Sequence, residues 1–308
     1  MLRYLLTRLA SAVPTLFIIV TLTFFLMRFA PGGPFDQAQQ RSPEVMENLQ
    51  RAYGLDQPLG QQYLHYLKSL ARGDFGPSFR YKDFSVTELI AQGLPVTLEL
   101  GVASLVIALL AGIGLGTLAA LRAGTVLDQS VMALAVSGIA LPTFVLLPFL
   151  GLIFGVHLHW LPVAGFEAGS WRHLLLPVIA LSLPPLAYIA RLTRAGMLEV
   201  LASAYIRTAH AKGLPLRVII LRHAMRPALM PVASYLVPAV AAILTGSLVV
   251  ETIAGLPGIG RYLVQGAANR DYTLVLGMVI LYSALLIAMG LIVDLLYAWL
   301  DPRLRIRS

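Results

Sequence analysis

Apolar residues in this chain fall into six runs: Leu9–Met27, Leu100–Leu121, Val131–Val156, Leu174–Ala190, Pro227–Val250 and Thr273–Val293. None of the six contains Asp, Glu, Lys, Arg or His. At 1.5 Å per residue each is long enough, as a helix, to cross about 30 Å of hydrocarbon. The pattern therefore predicts six transmembrane helices. Pro14, Pro142, Pro148, Pro177, Pro184, Pro185, Pro231 and Pro238 interrupt them. A proline inside a membrane frees backbone carbonyls that neighbouring helices or a water-filled path must satisfy, so this many favour a conduit over a simple anchor.

Composition agrees with the pattern. Hydrophobic residues make up 58% of the 308 and charged residues only 12%, where a soluble domain has roughly a quarter charged. The expectation is an all-α integral membrane protein with one domain over residues 1–308 and no separate soluble part. Arg3 and Arg8 before the first run resemble a signal peptide. The run is longer than a usual h-region and no A-x-A site follows it, so it is expected to be a retained first span. There is no cysteine, which excludes disulfides, thiolate metal sites and cysteine nucleophiles.

Charge orients the spans. With six of them, one side holds residues 1–8, 122–130, 191–226 and 294–308, carrying 13 Lys/Arg against Asp128, Glu199, Asp294 and Asp301. The other side holds 10 basic and 11 acidic residues. Lys/Arg in short loops mark the cytoplasmic face. Outside the long stretch 28–99 the second side has only Arg172, Arg261 and Arg270. Both termini and the stretch 191–226 are therefore expected in the cytoplasm. That uneven distribution, rather than the net +8, also argues against a nucleic-acid partner.

The stretch 191–226 holds seven Lys/Arg against one acid, Glu199. Leu198, Leu201, Tyr205 and Ala209 recur at i, i+3, i+7 and i+11, one face of a helix. Gly213 supplies a helix stop, and Pro215 suits the first turn of a second helix starting near Leu216. The stretch is either a basic amphipathic docking element or a loop whose charges only orient the chain.

The outer segment, about residues 31–97, predicts a helix from Ser42-Pro43-Glu44 to a stop at Gly54. A second, with Tyr63, Leu67 and Leu70 on one face, ends at Gly73. It is either a small solvated cap or a docking surface. Gly73-Asp74-Phe75-Gly76-Pro77-Ser78 is turn chemistry leading back to the membrane. His157, His159 and His173 lack carboxylate or thiol company, and no metal site is expected. Gly255-Leu-Pro-Gly-Ile-Gly260 imitates a phosphate loop, but Arg261-Tyr262 follow where Lys and Ser/Thr are needed. Gly255, Pro257, Gly258 and Gly260 instead shape an outer turn or gate between spans five and six, flanked by Glu251 and Asp271.

Arg207-Thr-Ala-His-Ala-Lys-Gly213, followed by Arg222-His-Ala-Met-Arg-Pro-Ala-Leu-Met-Pro231, resembles the signature cytoplasmic loop of bacterial ABC importer permeases. Arg207 stands where many members have glutamate and Thr208 where they have alanine. That form is similar to the peptide and nickel branch, with His210 in place of a usual second arginine. Arg28-Phe-Ala-Pro-Gly-Gly-Pro34, Gly73–Ser78, Trp160-Leu-Pro162, Glu251–Gly260 and Asn269-Arg-Asp-Tyr272 extend the likeness from end to end. Pro14-Thr-Leu-Phe17 and Tyr81-Lys82-Asp83 most resemble the first membrane subunit of oligopeptide importers.

The resemblance implies the type I importer permease fold, in a bacterial inner membrane, with no catalytic residues. It implies a heteromeric complex: a second related permease, two cytoplasmic ATPases that bind the ATP and Mg, and an outer peptide-binding protein. It assigns Tyr205, Arg207, Thr208, Ala209, Lys212 and Gly213 to an ATPase-coupling helix. Intramembrane charge pairs, the mark of ion-coupled transport, are absent from the six runs, which counts against a self-contained secondary transporter. The absence of His from the runs counts against an intramembrane hydrolase. A path would use neutral groups: Ser182, Tyr188, Ser234, Tyr235, Thr245 and Ser247 are candidates, each equally suited to helix-packing contacts. A dipeptide, glutathione or nickel permease is the nearest alternative.

Overall fold

The computed structural model describes residues 2–29, 54–81 and 83–300. The helix expected from Ser42 to Tyr53 lies outside them, as do most of the Arg28–Pro34 motif, Lys82 and the C-terminal arginines. Among the described residues the chain is helical apart from turns and one isolated bridge between Pro77 and Ser85. The helices are α1 (Leu2–Phe29), α2 (Leu59–Leu70), α3 (Val86–Leu121), α4 (Val126–Ala140), α5 (Thr143–Leu150), α6 (Trp171–Leu201) and α7 (Ala204–Ala211). A short α8 runs as Leu216–Val218, widens into π turns over Ile219–Ala224 and resumes as Met225–Ala228. There follow α9 (Met230–Ala254), α10 (Ile259–Ala268) and α11 (Tyr272–Leu300).

Parts of α1, α3, α6, α9 and α11 are long and apolar enough to span a membrane, and α4 with α5 makes a sixth candidate. The third run is not one straight helix: α4 and α5 meet at 106°. Pro142 disfavours helical geometry at the residue before it, and Leu141 accordingly sits extended at φ −87°, ψ 116°. Helices also overrun the apolar limits. α3 begins at Val86 because Ser85 and Glu88 form a reciprocal cap: Ser85 N–H donates to Glu88 Oε2 (2.8 Å) and Glu88 N–H to Ser85 Oγ (3.2 Å). α6 carries on past Ala190 through Arg191, Arg194 and Glu199.

The chain forms two compact units. One, centred on residues 98–256, is built around α6, which packs against α4 and α9 and is the most enclosed of the long helices. Gly112 and Gly116 let α3 approach it: a Cβ on Gly116 would lie 2.4 Å from the Ala190 carbonyl, and one on Gly112 2.9 Å from that of Leu186. A small residue on successive turns of one face is how helices pack closely where water supplies no driving force.

The other unit comprises residues 11–97 and 257–285. Val86, Leu89 and Ile90 of α3 pack there against Ile259, Leu274 and Met278. A second cluster joins Val20 and Phe24 of α1 to Tyr66 of α2 and to Leu276 and Ile280 of α11. Tyr63, Leu67 and Leu70 pack onto this cluster, with the Tyr63 ring 5.3 Å from Phe24 and its hydroxyl 2.6 Å from Thr21 Oγ1. The face that sequence reasoning left open as a docking surface is thus occupied within the chain.

Candidate functional site

The candidate coupling helix forms, but in a different register. The α6 helix ends at Leu201, and Ser203, at φ −70° and ψ 155°, precedes a separate eight-residue α7. Ser203 Oγ donates to the Val200 carbonyl at 2.6 Å, which fixes the corner. Because Ala202 and Ser203 break the helix, the i, i+3, i+7, i+11 stripe from Leu198 to Ala209 does not hold. Ile206 and Ala209 turn inward, 1% and 5% exposed, while Tyr205 is 48% exposed. Ala209 therefore cannot supply an apolar contact to a partner, and Ile206, missed by sequence reasoning, anchors the helix instead. Only the break at Ala202–Ser203, invisible to periodicity, separates the two patterns.

The floor beneath α7 is a cluster of Ala120, Met197, Ile206, Ala209, Ile219 and Ala224, with Leu198, Leu201 and Leu214 at its edge. α7 ends as expected at Gly213. Gly213 N–H donates to the His210 carbonyl (2.9 Å) and Leu214 N–H to that of Ala209 (3.3 Å), a paired closure that needs a left-handed residue between them. Gly213 takes φ +74°. Pro215 lies just before the next helix rather than in its first turn. Arg207, Thr208, His210, Lys212 and Gly213 are exposed alongside Tyr205. The result is a short basic ledge, apolar underneath and polar outward, with a sharp end.

The path candidates separate. Ser182 and Ser247 are 2% and 1% exposed, and their hydroxyls donate to the carbonyls of Ile179 and Leu244 on their own helices. They are sealed packing groups. Ser234 and Thr245 are exposed, donating to Met230 and Ala241 carbonyls. Tyr188 and Tyr235 face each other with rings 5.3 Å apart, and the Arg191 guanidinium lies 6.0 Å over Tyr188.

The residues expected to shape an outer turn belong partly to each unit. Within the first, α9 closes at Gly255 (φ 69°), and Leu256 N–H donates to the carbonyl of the fully buried Glu251. Within the second, the stretch is more than a turn. Gly258 caps α10, a helix that sequence reasoning missed, and Ile259 N–H there donates to Thr97 Oγ1 at 3.0 Å. Gly260 is buried in its first turn. At ten residues with Gly260 and Gly266 inside, the α10 segment offers too little periodicity to read. Asp271, fully buried, caps α11 by accepting Leu274 N–H (3.1 Å) on Oδ1. Its Oδ2 accepts Ser78 Oγ–H (2.5 Å) and Arg80 N–H (3.1 Å). The Gly73–Ser78 and Asn269–Tyr272 motifs are thereby one assembly. Nearby, Tyr81 donates to Gln265 Oε1 at 2.5 Å, and burial pushes its phenol up. Sequence reasoning also missed an ion pair between Arg194 and Asp128, both counted only as loop charges.

Long apolar helices, one bent, and short amphipathic elements held at their ends define a multi-pass α-helical membrane protein. The chain belongs to the family described as binding-protein-dependent transport system inner membrane component, whose model matches residues 112–306; that family's N-terminal model matches residues 1–101. It is 53% identical over 305 residues to the oligopeptide transport system permease protein OppB of Escherichia coli K12, covering 99% of this chain and 100% of that protein. It is 49% identical to the OppB of Haemophilus influenzae over the same shares. The dipeptide transport system permease protein DppB of Bacillus subtilis is 46% identical over 308 residues, 100% of this chain and 99% of that one.

Proposed function

We propose that this chain is the membrane-spanning subunit of an ATP-driven importer that moves oligopeptides across a bacterial inner membrane. The observation that carries the reading is end-to-end identity of 53% to a protein named as an oligopeptide permease. In this reading the chain pairs with a second related permease, receives peptide from an outer binding protein and binds no nucleotide itself. Two cytoplasmic ATPases hold the ATP and Mg, and α7 is the surface through which their motion reaches the spans. Support for that role is physical: α7 is pinned by Ile206 and Ala209 and offers Tyr205, Arg207 and Lys212 outward. The positive-inside rule puts that ledge, with both termini, in the cytoplasm.

The test is reconstitution of the chain with its three kinds of partner and measurement of peptide uptake against ATP hydrolysis. Uptake by the chain alone, without ATPases, would overturn the reading. Identity of 46% to a dipeptide permease favours a second reading in which shorter peptides are the cargo. Competition between dipeptides and pentapeptides for uptake separates the two.

A further inference from the structure

The α8 helix carries an exposed face that the coupling role of α7 does not use. Leu216 and Leu221 are 53% and 56% exposed there, and Arg217 and Arg222 beside them are exposed too. On an α-helix, residues five apart stand about 140° from each other. The π turns over Ile219–Ala224 widen the helix and bring such positions toward one side. Ile219, Ala224 and Ala228 take the buried side. Two leucines and two arginines are left in adjoining pairs, facing out of the chain.

Charge and depth together limit what this face can meet. No acid occurs between Glu199 and Glu251, while Arg207, Lys212, Arg217, Arg222 and Arg226 all fall in that interval. Among the described residues, neither Arg217 nor Arg222 pairs with an acid. The buried side of α8 shares its cluster with Ala120, the last residue but one of the second apolar run. Gly196, six residues past the fourth run, lets α8 close on α6: a Cβ there would lie 2.4 Å from the Ala228 carbonyl. The helix therefore follows the rim of the hydrocarbon, and α9 begins two residues after it ends. Headgroups occupy about 5–8 Å on each side of that rim.

We propose that this face docks on anionic phospholipid in the leaflet that α8 borders. Leu216 and Leu221 lie among the upper acyl chains. The Arg217 and Arg222 guanidiniums reach past them to headgroup phosphates, whose oxygens suit a planar fork of donors. Each arginine at the membrane surface should enrich anionic lipid locally by about fivefold. That the leaflet is the cytoplasmic one rests on the orientation used in the importer reading; the lipid contact itself does not.

The probe is phosphatidylglycerol brominated on its acyl chains near the headgroup, with phosphatidylcholine brominated in the same place as the neutral control. The chain has no cysteine, so Leu221→Cys can carry a single bimane fluorophore in the full chain in nanodiscs. At equal fractions, phosphatidylglycerol should quench the bimane more than phosphatidylcholine does, and added salt should shrink the excess. Arg217→Gln together with Arg222→Gln should abolish the excess but keep the quenching by phosphatidylcholine, which shows that the helix still lies against lipid. Equal quenching by the two lipids, or an excess that survives the double substitution, would overturn the site. So would quenching by aqueous iodide and by neither lipid, which puts the face in water. Loss of lipid quenching once the second permease and the ATPases are assembled would overturn it too, by giving the face to a protein. Both leaflets of a nanodisc carry the probe, so an inverted topology or a failure of peptide import leaves these outcomes readable.

Discussion

Arg194 of α6 and Asp128 of α4 meet in a two-point ion pair, Nε to Oδ1 at 2.5 Å and Nη2 to Oδ2 at 2.7 Å. The same carboxylate accepts Gly124 N–H at 3.0 Å, so one side chain closes the α3–α4 turn and ties it to α6. Arg194 lies one turn before Met197, which is part of the floor under α7. The pair therefore braces the frame on which the exposed ledge is mounted. Planar, bidentate geometry distinguishes it from an ordinary surface pair.

Asp128→Asn keeps the shape and removes the charge, leaving the guanidinium without its counter-ion. We expect a lower unfolding midpoint in nanodiscs and a smaller loss for Asp128→Glu. Adding Arg194→Gln to Asp128→Asn should cost less than the two single losses combined. Strict additivity in that cycle would show that the pair contributes nothing.

Asp271 binds four donors from two segments far apart in sequence. Asp271→Ala should destabilise the unit holding it by about 1–3 kcal/mol, because it strips a helix cap and orphans buried donors. Ser78→Ala removes one of those bonds and should cost less. Faster amide exchange at Leu274 and Arg80 in Asp271→Ala is the readout, and unchanged exchange would refute the assignment.

On α7 the two neighbours Tyr205 and Ile206 should behave oppositely. Ile206→Ala opens the floor and is expected to cost about 2–5 kcal/mol, seen as a lower midpoint of the isolated chain. Tyr205→Ala should leave that midpoint alone and weaken only assembly with the ATPases. A Tyr205→Ala chain that assembles normally would remove Tyr205 from the interface.

The chain has no cysteine, so single cysteines report topology directly. Cysteines at Ala211 and Ser308 should resist a membrane-impermeant reagent added to intact cells, and one at Gln40 should react. Labelling at position 211 would invert the orientation and with it the coupling role of α7.

What could be read in the sequence follows from the range of each signal. Runs of about 20 apolar residues depend on local composition alone, and five helices with one bent pair correspond to them. Gly213 was legible because a helix stop is a one-residue backbone requirement. The α7 register was not, because Leu198 to Ala209 fits one helix equally well and only the corner at Ser203 decides. Asp128 with Arg194, and Asp271 with Ser78, are separated by 66 and 193 residues, so no window could pair them. The close approach at Gly112 and Gly116 was not read at all, because which helix meets them is a tertiary fact.

Gly213 gives the sharpest test of the coupling reading, since its two possible reasons for being glycine separate. Its φ of +74° strains any side chain, by about 1–2 kcal/mol for an ordinary L-residue. Yet a Cβ built there meets no atom of this chain within 4 Å, so size itself is harmless to the isolated subunit. Gly213→Asn should be nearly neutral, since Asn tolerates the left-handed region. Gly213→Ala and Gly213→Trp should lower the midpoint of the chain by a similar small amount. If α7 seats in a partner's cleft, only Trp obstructs it, and peptide-stimulated ATP hydrolysis and uptake should fall in the Trp complex while Ala and Asn keep them. A loop that merely orients the protein makes no such distinction. Normal coupling in a well-assembled Gly213→Trp complex would therefore remove the docking role from this end of α7.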